Sequence, residues 1–295
     1  MPVEPPIETP RSLAEAYSLL AAASEAAGAN EVAPITPIAG GTDLMVRITG
    51  EIGEPPVRML DLWRLYELRG ISSDGGAISI GALTTYTEIR NSAACREHLP
   101  ALVEAAATIG AAQIQNRGTL GGNIANASPA GDTLPVLLVL DAEIVVGGPR
   151  GERTIAAADF WVAYRRTALA VDELILRIVI PMAGGREARF RKIGTRRAQA
   201  ISKVILAISW RDDGRSRNWR DVRVALGSVA DRPIRAAQTE AALEGQTPTP
   251  ETADSAAQAL AAEITPIDDV RSTADYRRAV AARVLHRLVR DAGGW

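Results

Sequence analysis

Thiols and imidazoles are scarce in this chain of 295 residues, which holds one cysteine, Cys95, and two histidines, His98 and His286. An iron–sulfur cluster normally takes about four thiolates, so this chain cannot ligate one. The same scarcity argues against a zinc site built from Cys and His, and a disulfide within the chain is excluded by count. The two histidines are far apart in sequence and read as surface or packing residues. Lysine is also rare. Lys192 and Lys203 are the only two, so the other 31 of the 33 basic residues are arginines. No apolar run reaches the length of a membrane-spanning helix, about 18 residues. The opening stretch MPVEPPIETPRS has no basic cluster followed by an apolar core, so a cytoplasmic location is the expectation. A formal net charge of −2 and a pI near 5.9 give no sign of a nucleic-acid partner. Any redox chemistry here has to use a bound organic cofactor.

What remains is an ordinary folding sequence. Its length suits two domains, and 47% of it is hydrophobic. Residues 11–28 read as an amphipathic helix carrying Leu13, Tyr17 and Leu20, with Gly28 as its stop. Ile35 and Ile38 lie in a short extended segment held by Pro34 and Pro37. Gly40-Gly41 then turns the chain, and Thr42 or Asp43 can cap a helix carrying Leu44, Met45 and Ile48. Residues 57–62 and 77–81 read as strands, with a turn at Asp74-Gly75-Gly76. Residues 85–110 read as helix in two pieces, broken at Pro100. The Gly-, Asn- and Ser-rich stretch 113–132 reads as a loop. A helix and strand follow over 134–148, and another strand over 173–181. Ala183-Gly184-Gly185 marks the expected boundary between a domain 1–183 and a domain 186–295. In the second, two strands flank a polar turn at 211–220. Helices follow near 235–245, 250–263 and 274–291, the last with an apolar face of Val280, Val284, Leu288 and Val289. Strands followed by helices indicate a small α+β domain.

Two short segments carry the chemical signal, Ala39-Gly40-Gly41-Thr42-Asp43 and Thr119-Leu120-Gly121-Gly122-Asn123. Paired glycines let backbone N–H groups approach an anion with no Cβ in the way, and such a nest or helix start can hold a pyrophosphate. A Gly-Gly pair alone is more often just a turn, and neither segment fits the G-x-G-x-x-G or P-loop pattern. The polar groups of Asn123, Asn126, Ser128 and Asp132 add to the second segment the donors and acceptors that a hydroxyl-rich ligand, such as a ribityl chain, would use.

With these stretches in view, the chain resembles the FAD-binding medium subunit of the molybdenum hydroxylases, the xanthine dehydrogenase family. The resemblance runs through PIAGGTDLMVRI, QNRGTLGGNIANASPAGDTLPVLLVLDA, FWVAYRRTALAVDELILRIVIP, FRKIGTRRAQAISKV, DVRVALGSVADRPIRA and DDVRSTADYRRAVAARVL, in the family's order and over nearly the whole chain. It implies an α+β fold: a two-lobed FAD domain of the vanillyl-alcohol-oxidase type, then a small C-terminal α+β domain with an antiparallel sheet and helices. It implies an oxidoreductase with divided labour. A molybdopterin-cofactor chain hydroxylates substrate with oxygen from water. A chain with two [2Fe–2S] clusters relays the electrons, and the flavin chain passes them to NAD or another acceptor, in a dimer of heterotrimers. The scarcity of cysteine agrees with that division. The substrate implied is a purine or other N-heterocycle, with aldehyde, CO and acyl-CoA members in the same family.

Residue by residue, Ile38, Ala39, Gly40, Gly41, Thr42, Asp43 and Leu44 match the first FAD loop, toward the pyrophosphate and adenosine. Thr119, Gly121, Gly122 and Asn123 match the second. Asn126 and Asp132 match positions along the ribityl chain and pyrophosphate, and Leu176 matches a main-chain contact to the flavin. Lys192 matches a lysine at the isoalloxazine edge, where a positive charge would stabilise anionic reduced flavin; the plain alternative is a solvated surface lysine. Ile109 stands where some relatives stack an aromatic ring on the flavin. Two other readings of the residues stay open, a stand-alone FAD oxidase or reductase and a scaffold protein without cofactor. No residue near either glycine segment offers a flavin tether or a substrate base.

Overall fold

The computed structural model describes residues 5–28, 35–50, 56–182, 184–196, 199–212, 214 and 217–295. Pro34, Ala183 and part of the 211–220 turn lie outside them.

The first lobe is a three-stranded parallel sheet in the order β1-β3-β2. Its elements are β1 (Ile7–Glu8), α1 (Leu13–Gly28), β2 (Ile35–Ile38), α2 (Leu44–Ile48) and β3 (Arg58–Asp61). Leu20 of α1, with Ile35 and Leu60, forms a small core that continues to Leu174 and Leu176 of the next lobe.

The second lobe contains β4 (Ile71–Ser73), β5 (Ala77–Gly81), α3 (Tyr86–Asn91), α4 (Ala93–His98), α5 (Pro100–Ala107), α6 (Ala112–Gln115), α7 (Leu120–Asn126) and α8 (Leu134–Val139). It then runs through β6 (Glu143–Gly148), β7 (Gly151–Ala156), α9 (Ala157–Phe160), β8 (Trp161–Ala163), β9 (Arg166–Thr167) and β10 (Leu174–Pro181). Five of these strands make an antiparallel sheet in the order β4-β5-β10-β6-β7. Two sequence expectations fail here. The helical stretch 85–110 has three pieces, because Ser92 ends α3 and its hydroxyl also accepts the Cys95 N–H as the N-cap of α4. The stretch 113–132 is no simple loop. It contains α6 and α7, and α8 follows close behind.

The third part is β11 (Arg186–Ile193), β12 (Val204–Asp212), β13 (Trp219–Gly227), β14 (Ile234–Arg235), α10 (Ala237–Leu243), α11 (Pro250–Glu263) and α12 (Ala274–Gly293). Its four strands form an antiparallel meander. Strand alternation sends Val204, Leu206 and Ile208 to the side where Leu260 of α11 and Leu285 of α12 lie. Ala188, Phe190, Ile205, Ala207 and Ala225 face the other way and join the core of the second lobe. The core therefore does not stop at residue 183. Burying Phe190 alone contributes about 2 kcal/mol. Ser209 Oγ donates to the Val139 carbonyl at 2.6 Å, and Ser228 N donates to that of Pro129 at 2.8 Å across the same seam. Among the described residues no helix is long and apolar enough to cross a membrane.

Candidate functional site

Ile38 ends β2, and the chain turns through Ala39–Asp43 into α2, which begins at Leu44. Gly41 has φ +76°, a left-handed conformation that favours glycine. Its carbonyl accepts the Met45 N–H at 2.8 Å, closing the first turn of α2. A Cβ on Gly40 would fall onto the carbonyl of Arg117 and crowd the Gly118 Cα at 3.1 Å. The first glycine segment thus lies directly against the residues that lead into the second. Among the described residues, the backbone N–H groups of Gly40, Gly41 and Thr42 have no hydrogen-bond acceptor. Three adjacent donors beside an open pocket lined by Ile38, Gly40, Gly41 and Asp61 form a concave site for an anion.

The second glycine segment is built differently. Thr119 is the N-cap of α7, and its Oγ1 accepts the Gly122 N–H at 3.2 Å. Leu120 N donates to the Thr84 carbonyl at 3.0 Å, Gly121 N to that of Ala82 at 2.9 Å and Asn123 N to that of Thr119 at 3.1 Å. Every N–H from Leu120 to Asn123 is bound inside the protein, so the pair opens a helix rather than a free nest. Gly121 is required by proximity, since a Cβ there would sit 2.7 Å from the Ala82 Cβ and carbonyl oxygen. Ala82 N in turn donates to the Leu176 carbonyl at 2.9 Å, which brings Leu176 of β10 beside α7.

The polar groups that follow are also partnered within the protein. Asn123 Oδ1 accepts from Thr133 Oγ1 at 2.6 Å, and Asn126 Oδ1 from Arg165 at 3.0 Å. Ser128 Oγ accepts the Ala130 N–H at 3.3 Å. Asp132 is buried. Its Oδ2 accepts from Lys192 Nζ at 2.5 Å and its Oδ1 from Ser202 Oγ at 2.6 Å. Burial pushes the Asp132 carboxyl up from its ordinary value, against the opposing pull of Lys192 and Ser202. Lys192, with a side chain only 10% exposed, is not a solvated surface lysine. Its ammonium faces a carboxylate at contact distance, so any field it exerts on a ligand is largely offset by Asp132. It also donates to the Thr108 carbonyl at 3.1 Å.

Ile109 follows Thr108 in a turn clamped by the buried Gln115. Its Nε2 donates to the carbonyls of Ala107 at 3.2 Å and Ile109 at 3.0 Å, while Arg90 donates to its Oε1. Lys192, Asp132 and the turn bearing Ile109 therefore form one cluster. The first glycine segment forms another, and α6 and α7 run between them. Sequence reasoning missed Gln115, Ser202, Trp63 and Arg117. Gln115, Arg117 and Ser202 stand inside stretches already singled out, and Trp63 stands outside them. Cys95 is fully buried with its thiol pushed up by burial, and His98 is exposed on α4. Neither lies at the glycine segments.

Comparison with known proteins gives the family of the chain. Residues 3–183 match the family described as the FAD binding domain in molybdopterin dehydrogenase. The chain belongs to that family. Residues 189–292 match the CO dehydrogenase flavoprotein C-terminal domain. The chain is 33% identical to the nicotine 6-hydroxylase medium subunit of Paenarthrobacter nicotinovorans over 87% of its own length and 89% of that protein's. It is 32% identical to the nicotinate dehydrogenase FAD-subunit of Eubacterium barkeri over 96% and 94%. In structure it superposes on carbon monoxide dehydrogenase from Hydrogenophaga pseudoflava with a TM-score of 0.89 and 31% identity, covering 97% of this chain and 96% of that one. The fold is thus that of the flavoprotein chains of molybdenum hydroxylases, and the chain is an oxidoreductase subunit with an FAD-binding domain.

Proposed function

We propose that this chain is the electron-transfer flavoprotein of a three-part molybdenum hydroxylase, with FAD held across the first two lobes. The observation that carries the reading is the row of unsatisfied backbone donors at Gly40, Gly41 and Thr42, in a chain of this family. These donors, with Ile38, Ala39, Asp43 and Leu44 around them, would take the pyrophosphate. Thr119, Gly121, Gly122, Asn123 and Asn126 would flank the chain of hydroxyls, and Leu176 and Ile109 would approach the ring system. Lys192 and Asp132 act together: the pair fixes the turn at Thr108 and holds the third part of the chain against the second lobe. Bound FAD supplies a carrier that can accept electrons singly and release them in pairs.

Electrons would arrive from [2Fe–2S] clusters on a partner subunit, because a chain with one cysteine cannot ligate such clusters itself. They would leave to NAD or another acceptor. Hydroxylation would belong to a separate molybdenum-cofactor chain acting on a purine or other N-heterocycle. Two of the relatives above are named for nicotine and nicotinate, both N-heterocycles. The same reading takes residues 1–183 as the FAD domain and 186–295 as the C-terminal domain, within a cytoplasmic dimer of heterotrimers.

The test is expression of the chain alone and together with its two partner chains. Alone, it is expected to bind FAD that acid precipitation releases completely, and to reduce no dye with hypoxanthine, nicotinate or benzaldehyde. The three-part complex is expected to be active with one of them. Flavin left on the protein pellet, or substrate-dependent dye reduction by the lone chain, would overturn the subunit reading in favour of a stand-alone oxidase.

A further inference from the structure

The pocket beside Gly40 and Gly41 has a volume of about 340 Å³, and Trp63 and Arg117 also line it. Arg117 has a fixed root. Its N–H donates to the Ile114 carbonyl at 3.1 Å, and its own carbonyl packs against Gly40. Its head is fixed as well, with the guanidinium carbon 3.8 Å from the centroid of the Trp63 ring. The backbone N–H of Trp63 in turn donates to Asp61 Oδ1 at 2.9 Å.

A second arginine, Arg69, also lies over this ring, at 4.2 Å. The two differ in what else they bind. Arg69 donates to the Trp63 carbonyl at 2.9 Å and to that of Leu83 at 3.5 Å, so its donors are used in holding the fold. Among the described residues the Arg117 guanidinium has no carboxylate or carbonyl partner, although it lines the same pocket as the free glycine donors.

We propose that Arg117, held over the Trp63 ring, is a phosphate-binding cation for the ADP half of the cofactor. This rests on the FAD reading above. A guanidinium stacked on an aromatic face keeps its N–H donors in plane at its edge, the geometry that pairs with two phosphate oxygens. Stacking also removes most of the side-chain freedom that an exposed arginine would lose on binding. The three backbone donors supply directed hydrogen bonds and Arg117 supplies the charge. This accounts for a phosphate site with no lysine beside it. Trp63 is a positioning residue: it contributes through the arginine it holds.

Calorimetric titration of the flavin-stripped chain with FAD, ADP and riboflavin tests this. Arg117→Met is expected to weaken FAD and ADP about tenfold or more, the scale of one charge-assisted contact, and to leave riboflavin, which has no phosphate, unchanged. Trp63→Ala is expected to weaken ADP about threefold to fivefold, and Arg117→Lys to fall between wild type and Arg117→Met. The ADP affinity should also lose part of its salt dependence in Arg117→Met. Wild-type ADP affinity in a folded Arg117→Met, or an equal loss for riboflavin, would overturn the inference while leaving the FAD reading intact. Should Arg117→Met fail to fold, unchanged ADP affinity in Trp63→Ala would overturn it. A wild-type chain that binds neither FAD nor ADP would bring down the FAD reading first, and this inference with it.

Discussion

Gly40 and Gly41 follow a strand, and among the described residues their N–H groups have no acceptor. Gly121 and Gly122 begin a helix in which each N–H from Leu120 to Asn123 is already bound. In the sequence the two pairs look alike, two glycines beside a hydroxyl or an amide. The difference lies in what surrounds them. The first pair turns away from β2 toward an open pocket. The second is closed by the carbonyls of Ala82 and Thr84 and by its own cap, Thr119. A glycine pair therefore signals an anion site only where its donors are left over, and that depends on neighbours distant in the chain.

Gly40→Ala strikes the first pair hardest and should have the largest effect. The added methyl meets the backbone carbonyl of Arg117, which has no rotamer by which to move aside. The chain segments must separate, at a cost of about 3 kcal/mol. A drop in melting temperature of about 5 °C or more and near-complete loss of the flavin absorbance ratio are expected. Full flavin retention at unchanged stability would show that the two glycine segments do not depend on their mutual contact.

The outlines of the fold were legible because they rest on local pattern. The amphipathic period gives α1 and α12, and the stretch expected at 250–263 is α11 residue for residue. Where local pattern and tertiary contacts disagree, the reading fails. Leu-Gly-Gly-Asn-Ile-Ala-Asn is a poor helix by propensity, yet α7 forms there, because the Thr119 cap and the carbonyls of Ala82 and Thr84 hold its first turn. β11 is hard to see among its charges, Arg186, Glu187, Arg189, Arg191 and Lys192. Its alternate residues Ala188 and Phe190 are buried all the same, in the core of the second lobe. The site was legible where glycine demanded it. It was illegible where partners come from far along the chain, as with Trp63 under Arg117 or Ser202 on Asp132.

Thr119→Ala sharpens the contrast from the other side, with an intermediate effect. It removes a buried hydroxyl that accepts the Gly122 N–H and should cost about 1 kcal/mol, the usual value of an N-cap. Thr119→Ser should restore the hydroxyl and most of that stability. Urea unfolding of the stripped protein measures the difference apart from cofactor binding. If Thr119→Ala unfolds at the wild-type urea concentration, the cap is not what holds the second segment, and the contrast with the first loses its basis.

Gly122→Ala should have the smallest effect on stability and be the most informative about the cofactor. A Cβ there would have one neighbour within 4 Å, Thr119 Oγ1 at 2.8 Å. Displacing that hydroxyl weakens the cap by about 1 kcal/mol, and replacing glycine by alanine within a helix returns about 1 kcal/mol. The two nearly cancel, so the stripped variant should melt within a degree or two of wild type. Apart from the cap, the methyl projects into open space, where a bound ligand would have to pass close to the backbone. Flavin retention should then fall although the fold is intact. Retention at the wild-type ratio would mean that no ligand approaches this helix start. The second glycine pair would then be a structural cap alone, and the cofactor's contacts would have to be sought entirely along the first.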